Sequence, residues 1–134
     1  MAKIEKIEGI GPVYGEKLRG VGITTVEALL EAAASPKGRQ ELAEKTEITE
    51  KLILEWANLA DLFRIKGVSE EYSDLLEEAG VDTVVELARR NPENLYNALK
   101  EINDEKKLVR ALPGPNQVKS WVEQAKELPR VMTY

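Results

Sequence analysis

The stretch that decides the fold is Ile7-Glu8-Gly9-Ile10-Gly11-Pro12-Val13-Tyr14-Gly15-Glu16-Lys17-Leu18. In its first part, one glycine stands on each side of an apolar residue. Glycines permit left-handed backbone angles and leave no Cβ in the way of an approaching ligand. A helix is predicted to begin directly after them, and its first N–H groups are then unpaired. The stretch therefore predicts a tight turn that leads into a helix.

Start and stop signals of helices recur along the rest of the chain. A capping residue precedes a proline at three predicted helix starts: Ser35-Pro36, Asn91-Pro92 and Gly114-Pro115. The segment from Thr24 to Glu27 has the spacing of a capping box. Thr49 is predicted to cap a helix that runs to about Arg64, whereas no segment favours a strand. These signals predict an all-α protein.

The chain also contains an internal repeat. Ile7-Glu8-Gly9-Ile10-Gly11 returns as Ile65-Lys66-Gly67-Val68-Ser69 at an offset of 58 residues. Further pairs at this offset are Tyr14 and Tyr72, Leu18 and Leu76, Gly22 and Gly80, and Thr25 and Thr83. Trp56 matches Trp121 after an insertion, and both are predicted to anchor a core. The repeat predicts two related units, 3–61 and 62–127, packed as one compact body with an extended tail at 128–134.

The quoted stretch resembles the helix-hairpin-helix motif, in which a glycine–apolar–glycine hairpin joins two helices. Gly9, Ile10 and Gly11 match the hairpin, and Gly15 stands at a small position where alanine is more usual. From Ile4 to Tyr134 the chain resembles a bacterial family of tandem helix-hairpin-helix proteins described as a domain of unknown function. The resemblance implies two helix-hairpin-helix (SAM-like) repeats, with the first hairpin intact and the second degenerate.

In the wider helix-hairpin-helix class, the hairpin amides hold the DNA backbone without reading bases. Unpaired amides and the positive end of a helix suit a phosphate. The resemblance implies these nucleic-acid-binding residues: Gly9, Ile10, Gly11 and Val13, with Lys17 and Arg19 as candidates for a second phosphate contact. A purely structural hairpin, which lets two helices pack closely, is the competing interpretation of the same residues.

The second copy and the overall charge favour a different partner. Ser69 replaces the second glycine, and residues 65–88 carry one base against seven acids. The whole chain has a formal net charge of −5. Such a surface repels DNA phosphates at close range. It favours either a basic protein partner or a second copy of the chain, whose residues 100–130 are richer in bases, although an acidic helix face is often simply solvated.

Several classes of function are disfavoured by what the sequence lacks. The chain has no Cys and no His, which removes disulfides, a thiolate nucleophile, a zinc finger and the usual general base. An enzyme with a carboxylate or lysine mechanism is a minor alternative, since Glu70-Glu71 and Glu77-Glu78 are expected to be solvated. We therefore predict a non-catalytic cytoplasmic module with no metal, no cofactor and no membrane contact. It binds DNA backbone non-specifically, or alternatively acts as a protein-interaction or self-assembling scaffold protein.

Overall fold

A computed structural model describes residues 2–134, and all regular structure in this range is helical apart from an isolated bridge between Lys3 and Thr25. A short 3-10 helix, Ile4–Lys6, precedes eight α-helices: α1 (Pro12–Gly20), α2 (Val26–Ala33), α3 (Pro36–Thr46), α4 (Glu50–Leu62), α5 (Glu70–Glu78), α6 (Val84–Ala88), α7 (Pro92–Lys106) and α8 (Pro115–Glu127). The predicted all-α class is confirmed. No helix in the described range is both long and apolar enough to cross a membrane.

Most of the predicted helix starts are confirmed by their hydrogen bonds. The side chains of Ser35 and Asn91 accept from the amides three residues ahead, at 3.1 and 3.0 Å. Gly114 is the N-cap of α8. The predicted capping box is wrong by one residue: Thr25 is the N-cap of α2, because its backbone is extended and its Oγ1 accepts from the Ala28 amide at 3.1 Å.

The chain divides into two compact units after Asp61. The first unit holds residues 2–61 together with Val131–Tyr134. Its buried apolar side chains include Ile4, Ile7, Leu18, Leu29 and Ile53. Trp56 is also buried, and its ring meets the ring of Tyr14 edge-on with centroids 5.1 Å apart. Trp56 is thus a core anchor, as predicted.

The second unit, Leu62–Arg130, has its own apolar core. Side chains from α5, α6, α7 and α8 close around Trp121, which is 1% exposed. The ring of Tyr72 packs on Trp121 at a centroid distance of 5.3 Å. The Tyr–Trp pair of the first unit therefore has a counterpart at matching positions of the repeat.

The last four residues belong to the first unit, where α3 holds them. Arg39 is 6% exposed, and its guanidinium donates to the carbonyls of Ala33 and Thr133, both at 2.9 Å. The Thr133 amide donates in turn to the Ala34 carbonyl at 2.8 Å. The Tyr134 hydroxyl donates to Asn58 at 2.9 Å. A buried charge with paired donors thus fixes this extended segment.

Candidate nucleic-acid interface

The first glycine turn is built on two backbone hydrogen bonds and one left-handed residue. The Ile7 amide donates to the Ile4 carbonyl at 3.1 Å, and the Ile10 amide donates to the Ile7 carbonyl at 3.2 Å. Gly9 between them has φ +93°, and a Cβ there would lie 3.3 Å from the Trp56 indole nitrogen. The left-handed backbone angle requires glycine at this position, and a Cβ would also be in tight contact with the indole.

Gly11 differs from Gly9 both in its backbone angle and in the space available for a Cβ. Its backbone is extended, with φ −87° and ψ −172°, and it is the N-cap of α1. A Cβ on Gly11 would have no atom within 4 Å. Only the first glycine of the pair therefore needs the left-handed freedom that the sequence suggested for both. The fold would accept a side chain at position 11. Because glycine has none, the space beside the turn is open.

Three main-chain donors of this turn are unpaired. Among residues 2–134, the amides of Gly9, Gly11 and Val13 donate to no backbone or side-chain acceptor. The side chain of Ile10 is buried in the core, so only its backbone is available at the surface. Val13 is 68% exposed, an unusual position for an apolar side chain. The turn thus presents unpaired amides beside the positive end of α1.

The two candidate cations lie on different faces of α1. Lys17 is exposed and stands four residues after Val13, so it shares a face with the turn. Arg19 instead stands four residues after Gly15 and forms an ion pair with Glu5 of the 3-10 helix. The structure therefore groups Lys17 with the hairpin residues and separates Arg19 from them.

Arg19 belongs to a cleft that sequence reasoning missed. This Arg19 cleft has a volume of about 590 Å³ and is lined by Lys3, Glu5, Arg19, Thr24 and Thr25. The isolated bridge between Lys3 and Thr25 brings its two walls together. No local pattern signals this pairing, because its residues come from three segments that are joined only by the fold.

The second turn repeats the backbone of the first with different chemistry. The Val68 amide donates to the Ile65 carbonyl at 3.1 Å, and Gly67 has φ +95°. Here the Gln124 side chain covers the turn, accepting from the Lys66 amide at 2.9 Å and donating to the Lys66 carbonyl at 3.2 Å. Ser69 is the N-cap of α5, but its side chain forms no capping bond. Fewer free main-chain groups remain at this turn.

Two carboxylates of the acidic second unit are neutralised within that unit. Lys106 Nζ lies 2.6 Å from a Glu78 oxygen, and Arg90 Nε lies 3.2 Å from a Glu86 oxygen. The hydrogen bond to Glu78, with the charge of that carboxylate, raises the pKa of Lys106 above its ordinary value. Lys106 is therefore already engaged and is not a free cation for another molecule. No cluster of three or more metal-binding side chains occurs within residues 2–134.

A family model described as "Domain of unknown function (DUF4332)" matches residues 8–128. The chain belongs to the DUF4332 family. The DUF4332 match includes both glycine turns and both tryptophans, whereas Lys3 and Glu5 of the Arg19 cleft precede it. No curated protein and no solved structure matches the chain.

Proposed function

We propose that this protein is a non-catalytic module that binds the phosphate backbone of DNA, without sequence preference, through its first glycine turn. The observation that carries the proposal is the open space at Gly11 beside the unpaired amides of Gly9, Gly11 and Val13. The backbone angles there suit any residue, and no neighbouring atom excludes a Cβ. Because these amides are unpaired and no side chain at position 11 shields them, a ligand can approach the backbone closely here.

Phosphate is the ligand chemistry that this turn suits. The unpaired amides of Gly9, Gly11 and Val13 are donors beside the positive end of α1. Lys17 adds a cation on the same face. The turn has no side chains that would read base edges, so we expect DNA binding that depends on the backbone alone.

The proposal includes the assignment of both turns to tandem helix-hairpin-helix repeats. Equivalent hydrogen bonds support it: the Ile23 amide donates to the Leu18 carbonyl as the Val81 amide does to Leu76. We assign the second repeat a structural role, because serine replaces its second glycine and the Gln124 side chain binds both main-chain groups of Lys66. Glu70 and Glu71 at the start of α5 would also repel a phosphate.

The alternative is a protein-interaction or scaffold role for the acidic second repeat. Its strongest motivation is the excess of acids over bases in residues 65–88. Lys106 and Arg90 already neutralise two of these carboxylates, which weakens the attraction for a basic partner. We therefore favour the first turn as the functional site.

A matched pair of glycine substitutions tests the proposal. Gly114 resembles Gly11, since it is an N-cap followed by proline, and a Cβ on it would also have no atom within 4 Å. Anisotropy of a labelled DNA duplex, measured at about 20 mM salt where phosphate contacts are strongest, gives the affinities. We expect Gly11→Leu to weaken binding by at least about 10-fold, the equivalent of about 1.4 kcal/mol, and Gly114→Leu to leave it unchanged.

The folded state of each variant is checked by its thermal unfolding. We expect both substitutions to lower the free energy of unfolding by a similar amount, up to about 1 kcal/mol, because leucine is a poorer N-cap residue than glycine. Wild-type protein that does not bind DNA at low salt, or equal binding by both variants, would show that the first turn is a packing device only.

A further inference from the structure

We propose that the Arg19 cleft is a second phosphate subsite, and that Glu5 competes with the phosphate for Arg19. The inference rests on the proposed function for the source of the phosphate, which is a nucleic-acid backbone. The cleft lies beside the opposite end of α1 from the glycine turn, and none of the hairpin residues line it.

The chemistry of the cleft walls fits an anion. Lys3 and Arg19 supply two cations, and Glu5 is the single acid among the lining residues. Thr24 is exposed, and its hydroxyl forms no hydrogen bond within residues 2–134. The Thr25 oxygen accepts from the Ala28 amide, which leaves its own O–H to donate. Two cations and two threonines therefore line an open, largely apolar cleft that is larger than a phosphate group.

A phosphate can replace Glu5 as the partner of Arg19 in this cleft. Both side chains are about two-fifths exposed, at 38% and 43%. Exposed ion pairs of this kind are weak. A phosphate, like a carboxylate, can accept two parallel hydrogen bonds from the guanidinium, and in this cleft it would also meet Lys3 and the Thr24 hydroxyl. Exchange of the Glu5 carboxylate for a phosphate is therefore favourable at low salt.

Gly15 makes room for the competing carboxylate. A Cβ on Gly15 would lie 2.9 Å from a Glu5 oxygen and 3.4 Å from an Arg19 nitrogen. The ion pair thus lies directly against the bare backbone of α1. The small residue at this position allows Glu5 to cover Arg19 when no ligand is bound.

The second unit carries the opposite charge at the equivalent positions. At the repeat offset of 58, Arg19 and Thr24 correspond to Glu77 and Asp82. The helix N-cap beside these positions is the same in both units, because Thr83 accepts from the Glu86 amide as Thr25 does from the Ala28 amide. The shared backbone therefore does not require cations in the cleft, and an anion subsite can exist only in the first unit.

The cleft and the glycine turn lie toward opposite ends of α1. Arg19 is eight residues after Gly11, which corresponds to about 12 Å at 1.5 Å per residue. Because Arg19 also lies on a different face of α1 from the turn, we expect the two sites to contact separate phosphates.

The test compares two substitutions that change the charge equally. Glu16 is exposed on α1 and forms no ion pair among the described residues, so Glu16→Gln controls for overall charge. With labelled duplex DNA at about 20 mM salt, we expect Glu5→Gln to tighten binding about 5-fold, near the upper range for one exposed ion pair. Glu16→Gln removes an equal charge near the first turn but releases no cation, so it should tighten binding clearly less than Glu5→Gln does. Adding Lys3→Gln or Thr24→Val to Glu5→Gln should reverse most of the gain.

Failure of the cleft and failure of the glycine turn give different results. If Gly11→Leu abolishes binding but Glu5→Gln and Glu16→Gln behave alike, the cleft proposal is overturned and the proposed function stands. If no variant binds DNA, inorganic phosphate titrated into ¹⁵N-labelled Glu5→Gln protein decides the matter. Shifts at the amides of Thr24 and Thr25 that Arg19→Gln removes would support the cleft as a site for free phosphate, and their absence would refute it.

Discussion

At Gly38 a neighbouring backbone fills the space that a side chain would need. A Cβ there would lie 2.2 Å from the Ala32 carbonyl oxygen, which no rotamer change relieves. We expect Gly38→Ala to lower the free energy of unfolding by about 2 kcal/mol or more, since overpacking shifts backbone. Urea unfolding followed by circular dichroism measures this change.

Gly20 is the control for that substitution. It lies at the end of α1, where a Cβ would have no atom within 4 Å. Gly20→Ala should be neutral, or stabilise by up to about 1 kcal/mol through the unfolded chain. Equal effects at the two glycines would contradict the close packing of α3 against the end of α2.

At the scale of single helices, the N-caps differ in whether the side chain takes part. Asn91 accepts from the Asn94 amide at 3.0 Å, whereas the side chain of Ser69 forms no capping bond. We expect Asn91→Ala to cost about 1 kcal/mol of stability, the usual value for a lost cap. Ser69→Ala should be near neutral. Thermal unfolding of the two variants gives the comparison, and a larger loss for Ser69→Ala would contradict the observed geometry of α5.

The attachment of the last residues to α3 depends on one buried guanidinium. Arg39→Met removes donors to the Ala33 and Thr133 carbonyls and should cost about 2 kcal/mol, as for buried acceptors left unpaired. In a chain that lacks residues 131–134, the Thr133 carbonyl is already absent, so Arg39→Met leaves only the Ala33 carbonyl unpaired. We therefore expect Arg39→Met to cost about 1 kcal/mol less in the shortened chain, a coupling typical of contacting groups. Urea unfolding of the wild type, the two single variants and the combined variant measures this coupling. Additive losses of stability would show that Arg39 and residues 131–134 are independent.

At the scale of the whole molecule, net charge limits the proposed binding. The chain carries a formal charge of −5, so long-range repulsion opposes the contacts made by the first turn. About three phosphate contacts predict a slope near −3 in a plot of log affinity against log salt for duplex DNA. Anisotropy titrations between about 20 and 200 mM salt measure this slope. A slope near zero would exclude phosphate contacts as the source of affinity.

Short-range chemistry explains what the sequence alone determined. The starts of α3, α7 and α8 were predictable because a capping residue and a following proline act within one helical turn. Burial of Trp56 and Trp121 followed from their large apolar area. The all-α class follows from the same local signals. The positive φ of Gly22 and Gly80, both +87°, has a local cause as well, because glycine is favoured in the left-handed position that follows a helix.

Only the tertiary structure decided which distant groups meet. It paired Arg19 with Glu5, brought Lys3 to Thr25, and placed Gln124 over the second turn. It also distinguished a glycine that the backbone requires, Gly9, from one that it does not, Gly11. These outcomes depend on how helices approach one another, and no local propensity encodes the distance between side chains from separate segments. Local interactions therefore determined the helices, whereas packing determined which charges and amides face a ligand.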